Sequence, residues 1–173
     1  MLNLTFPLKN GDKLRYPYDR WYKFSPNGAV WFKKKTEGKY FVGCDELTVY
    51  KCNEIIKLSL RKQNEIIKAN KTLFRLETDQ PGCCGNLLVK SGETPWNVKI
   101  LEINQLIKQN PHIILRYPYD EGWIYQLEAI EPIFLKKEDN FTLTEIIGPN
   151  NPKLLNKKVI SILKNYNLIN FLS

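Results

Sequence analysis

The residues best equipped for chemistry sit in the middle of the chain, where Cys83 and Cys84 stand adjacent between Gly82 and Gly85 in the run Asp79-Gln80-Pro81-Gly82-Cys83-Cys84-Gly85-Asn86. Flanking glycines permit unusual φ angles and the close approach of a partner, and exposed backbone N–H groups favour the thiolate, which is the reactive form of cysteine. Adjacent thiols of this kind suit thiol exchange or the gripping of a thiophilic metal. A disulfide between them would close a small strained ring and be readily reduced, so it is not expected to be structural. Without such chemistry they are small, partly buried residues. Zinc wants four ligands, and the only set with that many thiols is Cys44, Cys52, Cys83 and Cys84, because His112 is the single histidine. Cys44 and Cys52 fall on segments that read as strand and turn, so no metal is expected. Lys90, in Val89-Lys90-Ser91, taken by itself reads as a solvated loop lysine. The chain has no Ser/His/Asp set and no phosphate-binding loop, and the adjacent acids Asp120 and Glu121 read as a turn, so no enzyme is expected.

The elements around these residues read mainly as strands. Ala29-Val30-Trp31-Phe32 and Lys39-Tyr40-Phe41-Val42 flank a polar turn from Lys33 to Gly38 and predict a hairpin. Ile55 to Leu60 and Thr72 to Glu77 alternate near the two-residue strand period. A loop over 79–93 follows, with Pro81, Gly82, Gly85 and the nearby Trp96 as its expected contact residues. Trp96 to Ile103 reads as a strand, Asn104 as the cap of a short helix ending before Asn110-Pro111, and Trp123 to Leu127 as a further strand. From Pro152, the apolar residues Leu154, Leu155, Val159, Ile162, Leu163 and Tyr166 recur at helical spacing and predict an amphipathic helix docked on the β core. Leu14-Arg15-Tyr16-Pro17-Tyr18-Asp19 recurs identically as Leu115-Arg116-Tyr117-Pro118-Tyr119-Asp120, and each copy is expected to form a turn whose aromatics cover a sheet end.

With 173 residues, 43% hydrophobic and 25% charged, the chain is the size of one globular domain. The expected division is a packed N-terminal arm over 1–28, a β domain over 29–148 and the helix over 149–173. The net charge of +8 is scattered, with only Lys33-Lys34-Lys35 as a cluster, so nucleic acid is not expected as a partner. No window is long and apolar enough to span a membrane, and the first residues carry no basic start and long apolar run. The expected location is the cytoplasm, or the interior of an organelle if the gene is organellar, and the thiols are expected to be reduced.

A family resemblance adds to this reading. Ile103-Asn104-Gln105-Leu106-Ile107-Lys108-Gln109-Asn110-Pro111-His112-Ile113-Ile114, with Pro118-Tyr119-Asp120-Glu121-Gly122-Trp123, resembles the "VNxxLxxNPxLIN" and "PYGxGW" stretches of the glycine cleavage H protein. Thr94 to Asn104 is similar to its "SPVSGEVVEVN" strand, Val42-Gly43-Cys44-Asp45 to "VGIT", and Lys68 to Thr78 to "KAGEPFAVVES", all in the family's order over roughly residues 14 to 166. The resemblance implies a lipoyl-type barrel-sandwich hybrid, mainly β, and a non-enzymatic carrier on which a lipoyl group, attached to a hairpin lysine, swings between partner enzymes. Here the hairpin departs from the family. Asp79 to Gly85 stands where "VKA" follows "VES", and Leu87 occupies the lysine's distance from Pro95. Lys90, at the tip of the loop if the alignment shifts by three residues, is the candidate lipoyl site. The cofactor stays open between a lipoyl group and none, with none preferred. The leading expectation is thus a carrier or docking protein that presents loop 79–93 to protein partners. The alternatives are a thiol-active protein using Cys83 and Cys84, and a structural subunit that kept only the fold.

Overall fold

The computed structural model describes residues 2–25, 28–79, 89–130 and 146–170. Its elements, in chain order, are β1 (Asn3–Pro7), β2 (Lys13–Pro17), β3 (Trp21–Ser25), β4 (Gly28–Thr36), β5 (Lys39–Cys44), β6 (Ile55–Leu60), β7 (Ile66–Ile67), β8 (Thr72–Thr78), β9 (Val89–Glu93), β10 (Val98–Ile103), α1 (Gln105–Gln109), α2 (His112–Arg116), β11 (Tyr125–Ala129), β12 (Ile146–Ile147) and α3 (Pro152–Asn165). A seven-stranded antiparallel sheet runs in the order β12-β3-β4-β5-β11-β10-β7, a three-stranded sheet in the order β6-β8-β9, and β1 pairs with β2 alone.

Strand β4 explains how these layers stack. Its residues alternate sides with the two-residue strand period, and from Gly28 to Phe32 both sides are buried. Val30 and Phe32 enter one core, shared with β8 and β10 through Leu73, Phe74, Val98 and Ile100. Ala29 and Trp31 enter a second core on the opposite face, shared with Phe6, Leu14, Tyr16, Tyr22 and the α3 residues Leu155, Val159 and Leu163. The large sheet is therefore covered on one face by the three-stranded sheet and on the other by the β1–β2 hairpin and α3.

Several local expectations are met and several are corrected. Strand β4 runs further than expected, to Thr36, and pairs across to Lys39, so the turn shrinks to Glu37-Gly38. Gly38 takes the left-handed φ of 75° that so tight a turn needs. Within the expected N-terminal arm, residues 21–25 are a strand of the large sheet, paired with β4. The two Tyr-Pro-Tyr-Asp copies adopt different structures: the first lies along β2 and the second runs from the end of α2 into a turn. Pairing of Leu4 with Tyr16 holds the first copy extended, whereas Pro111 restarts the helix before the second. Trp96 does not lie on a contact surface. It packs edge-on against Phe32 at 4.9 Å inside the first core, because its ring is large and apolar and β10 begins only at Val98.

Candidate functional site

Strands β8 and β9 form an antiparallel hairpin with Glu77 opposite Val89, Leu76 opposite Lys90 and Arg75 opposite Ser91. The region expected to be a loop over 79–93 is thus strand from Val89 onward, because β9 completes its hydrogen bonding on the open edge of β8. Pro81, Gly82, Cys83, Cys84, Gly85 and Leu87 lie outside the described residues.

The near side of the connection is clamped. The Asp79 carboxylate accepts hydrogen bonds from the backbone N–H groups of Asn53 and Glu54 at 3.0 and 3.1 Å, and its own N–H donates to the Glu54 carbonyl. Desolvation works against the charge, yet these donors outweigh it and hold the Asp79 carboxyl below its ordinary value. The segment leading into β6 and the start of the connection are thus bonded to each other at three points.

Lys90 is not at a loop tip. It sits one residue inside β9, is 4% exposed, and its ammonium donates to Cys52 Sγ at 2.9 Å. Strand alternation accounts for this placement: Lys90 turns inward while its neighbour Ser91 faces solvent. Cys52 is partly exposed, also donates weakly to the Tyr50 carbonyl, and lines a cleft of about 380 Å³ together with Lys13, Arg15, Lys51, Arg116 and Glu46. Cys44 is buried in β5, and burial pushes its thiol well up. Among the described residues no group of three or more histidine, cysteine or acidic side chains is arranged to hold a metal. Asp120 and Glu121 are exposed on the turn after α2.

Sequence reasoning missed a buried polar cluster beside this cleft. The Asp45 carboxylate accepts from Tyr16 Oη at 2.6 Å, Thr48 Oγ1 at 2.5 Å and the Thr48 N–H at 3.0 Å. Arg20, with no exposed surface, lies over the Trp31 ring at 4.6 Å, donates to the Tyr119 carbonyl at 3.1 Å and pairs with Asp19. The Trp31 indole N–H donates to the carbonyls of Cys44 and Pro118, and its ring covers Gly43 so closely that a Cβ there would meet it at 2.6 Å. The signal was present in part: an acid directly after the apolar Val42-Gly43-Cys44, and an arginine between the aromatics Tyr18 and Trp21.

The model of the family described as glycine cleavage H-protein matches residues 20–145. The glycine cleavage system H protein 5 of Aquifex aeolicus is 25% identical over 125 residues, covering 71% of this chain and 78% of the relative. The glycine cleavage system H protein of Coprothermobacter proteolyticus is 31% identical over 101 residues, covering 57% and 72%. The crystal structure of a glycine cleavage system H protein from Mycobacterium marinum superposes with a TM-score of 0.60 at 17% identity, covering 83% of this chain and 99% of that one. This likeness gives the described sheets the barrel-sandwich fold expected from the sequence.

Proposed function

Because the chain belongs to the glycine cleavage H-protein family, we propose that it acts through the β8–β9 hairpin, offering the connection between these strands to protein partners. The family's members are carriers that shuttle intermediates between partner proteins and are not themselves catalytic, so no reaction is assigned to this chain. The observation that carries the reading is the hairpin itself, paired from Glu77–Val89 to Thr72–Glu93. It sits where the sequence resemblance puts the family's cofactor-bearing turn, and its base is fixed by Asp79.

A lysine-borne lipoyl group does not fit the residues present. Residues 79–88 contain no lysine. Lys90 is inside a strand, nearly fully buried and bonded to Cys52, and an attaching enzyme needs the ammonium in the open. The chain is therefore read as a docking member of its family whose connection carries Cys83 and Cys84 in place of the acylated lysine. Protein partners are the expected class. Among the described residues no helix is long and apolar enough to cross a membrane.

Two measurements test this. Protein purified from its native host, digested and sequenced by mass spectrometry, is expected to carry an unmodified Lys90; a lipoyl mass addition there overturns the lysine-free reading. Replacing residues 80–88 by a short Gly-Ser connection is expected to leave thermal stability nearly unchanged and to abolish cross-linking to native partners. Undiminished cross-linking overturns the hairpin as docking surface.

A further inference from the structure

The pairing of Cys52 with Lys90 makes a site that the family reading does not use. A lysine that is 4% exposed as a residue is costly to bury without an anion beside its ammonium. Among the described residues the side chain it bonds is Cys52, through Sγ at 2.9 Å, and not a carboxylate. The Lys90 ammonium is thus placed directly against the Cys52 sulfur, where it faces the negative charge that sulfur carries during an exchange. Cys52 itself is reachable from solvent, through the cleft of about 380 Å³. Around that cleft stand the cations Lys13, Arg15, Lys51 and Arg116 against the single acid Glu46, which is engaged by Arg15 at 2.8 Å. A thiol backed by a buried cation at the wall of a cationic cleft is a nucleophile selective for anionic reactants.

We propose that Cys52 is a modification site that forms mixed disulfides with anionic low-molecular-weight disulfides, with Lys90 as its positioning residue. The Cys52 thiol releases its proton to water, and the thiolate attacks one sulfur of the incoming disulfide. That disulfide's S–S bond breaks as the new one to Cys52 Sγ forms. The departing half leaves as a thiolate with the electron pair of the broken bond, so the Cys52 sulfur is oxidised and the leaving half is reduced. The cleft's cations draw the reactant in and hold its carboxylates during the exchange. This site does not rest on the docking role of the connection: neither Cys83 nor Cys84 takes part, and Lys90 acts from within β9.

The test uses the full chain with Cys83→Ser and Cys84→Ser, leaving Cys52 and the buried Cys44. Glutathione disulfide, an anion, and cystamine, a cationic disulfide, are the probes, and the adducts are located by mass spectrometry. Cys52 is expected to react about tenfold faster with the anionic probe at low salt, an advantage that shrinks as salt is added. Lys51→Glu with Arg116→Glu, both on exposed side chains, is expected to reverse the preference without disturbing the core. Lys90→Met is expected to slow both probes alike, which a purely structural role for Lys90 would not do in a variant of unchanged circular dichroism. Equal rates with the two probes, an adduct on Cys44 in place of Cys52, or a preference that survives the double charge reversal overturns the proposal.

Discussion

At the scale of single residues, the buried carboxyl of Asp45 makes stability depend on pH in a direction opposite to that of Asp12, Asp19 and Asp79, whose carboxyls are held low. Burial raises its pKa above the ordinary 3.8, and the hydrogen bonds from Thr48 and Tyr16 only partly offset this. Between the ordinary value and the raised native one, the folded protein holds a proton that the unfolded chain has lost. Stability from this group is therefore fully present below the ordinary value and falls as pH rises through that window. Asp45→Asn is expected to remove that slope in urea unfolding followed from roughly pH 4 to 7, whereas Asp45→Ala, which also strands the Tyr16 hydroxyl and the Thr48 N–H, is expected to remove the slope and to cost about 3 kcal/mol at the acid end of that range. The repeated Tyr-Pro-Tyr-Asp offers a second contrast. Tyr119 donates to the Arg15 carbonyl at 2.5 Å and accepts from the Glu46 N–H at 3.1 Å, joining the second copy to the first, while Tyr117 is 50% exposed. Tyr119→Phe is expected to lower the unfolding free energy by about 1.5 kcal/mol, and Tyr117→Phe to change it by less than about 0.5 kcal/mol. Identical residues thus carry unequal weight, and only their surroundings decide which.

At the scale of elements, the short α1 depends on Asn104 in two directions. Its side-chain oxygen accepts from the Leu106 N–H at 3.0 Å, and its amide donates to the carbonyls of Glu121 and Trp123 at 2.8 and 2.7 Å, tying the helix to the turn before β11. A pure cap would tolerate aspartate. Here Asn104→Asp turns two donated bonds into oxygen facing oxygen, so it is expected to cost at least as much as Asn104→Ala, about 2 kcal/mol or more by chemical denaturation. For α3 the stripe read from the sequence divides once it is packed: Leu155, Val159 and Leu163 are buried and Leu154 is 45% exposed. Leu155→Ala is expected to cost about 2–5 kcal/mol and Leu154→Ala less than about 0.5 kcal/mol, read from the same unfolding curves.

At the scale of the whole molecule, the two cores lie on opposite faces of one strand. Trp31 belongs to one and Phe32 to the other, and neither face of β4 can lose its cover while the strand keeps its place. The β1–β2 hairpin and α3 are therefore integral to the fold, and unfolding is expected to be a single transition. Tryptophan fluorescence, which senses Trp31 and Trp96 in different cores, and far-ultraviolet circular dichroism should give superimposable urea curves. Two separated transitions would show that the N-terminal hairpin and α3 form a unit of their own.

Local signals in the chain determined what depends on near neighbours: the two-residue alternation of β6 and β8, the Asn104 cap, the turn at Gly38, the helix from Pro152, and the motif order that pointed to the H-protein family. These features write themselves into adjacent residues, so they can be read without knowing what packs where. What depended on distant partners could not be read that way. Lys90 looked like a loop lysine because Val89-Lys90-Ser91 follows a glycine-rich run, yet β8 offered an edge to pair and Cys52, 38 positions earlier, offered a place for its ammonium. Tyr-Pro-Tyr-Asp became strand in one place and turn in the other because a hexapeptide has no fixed structure of its own, and the elements it packs against choose one for it. The family was legible in local patterns, whereas the burial of its candidate lysine was decided by the closing of one sheet over the other.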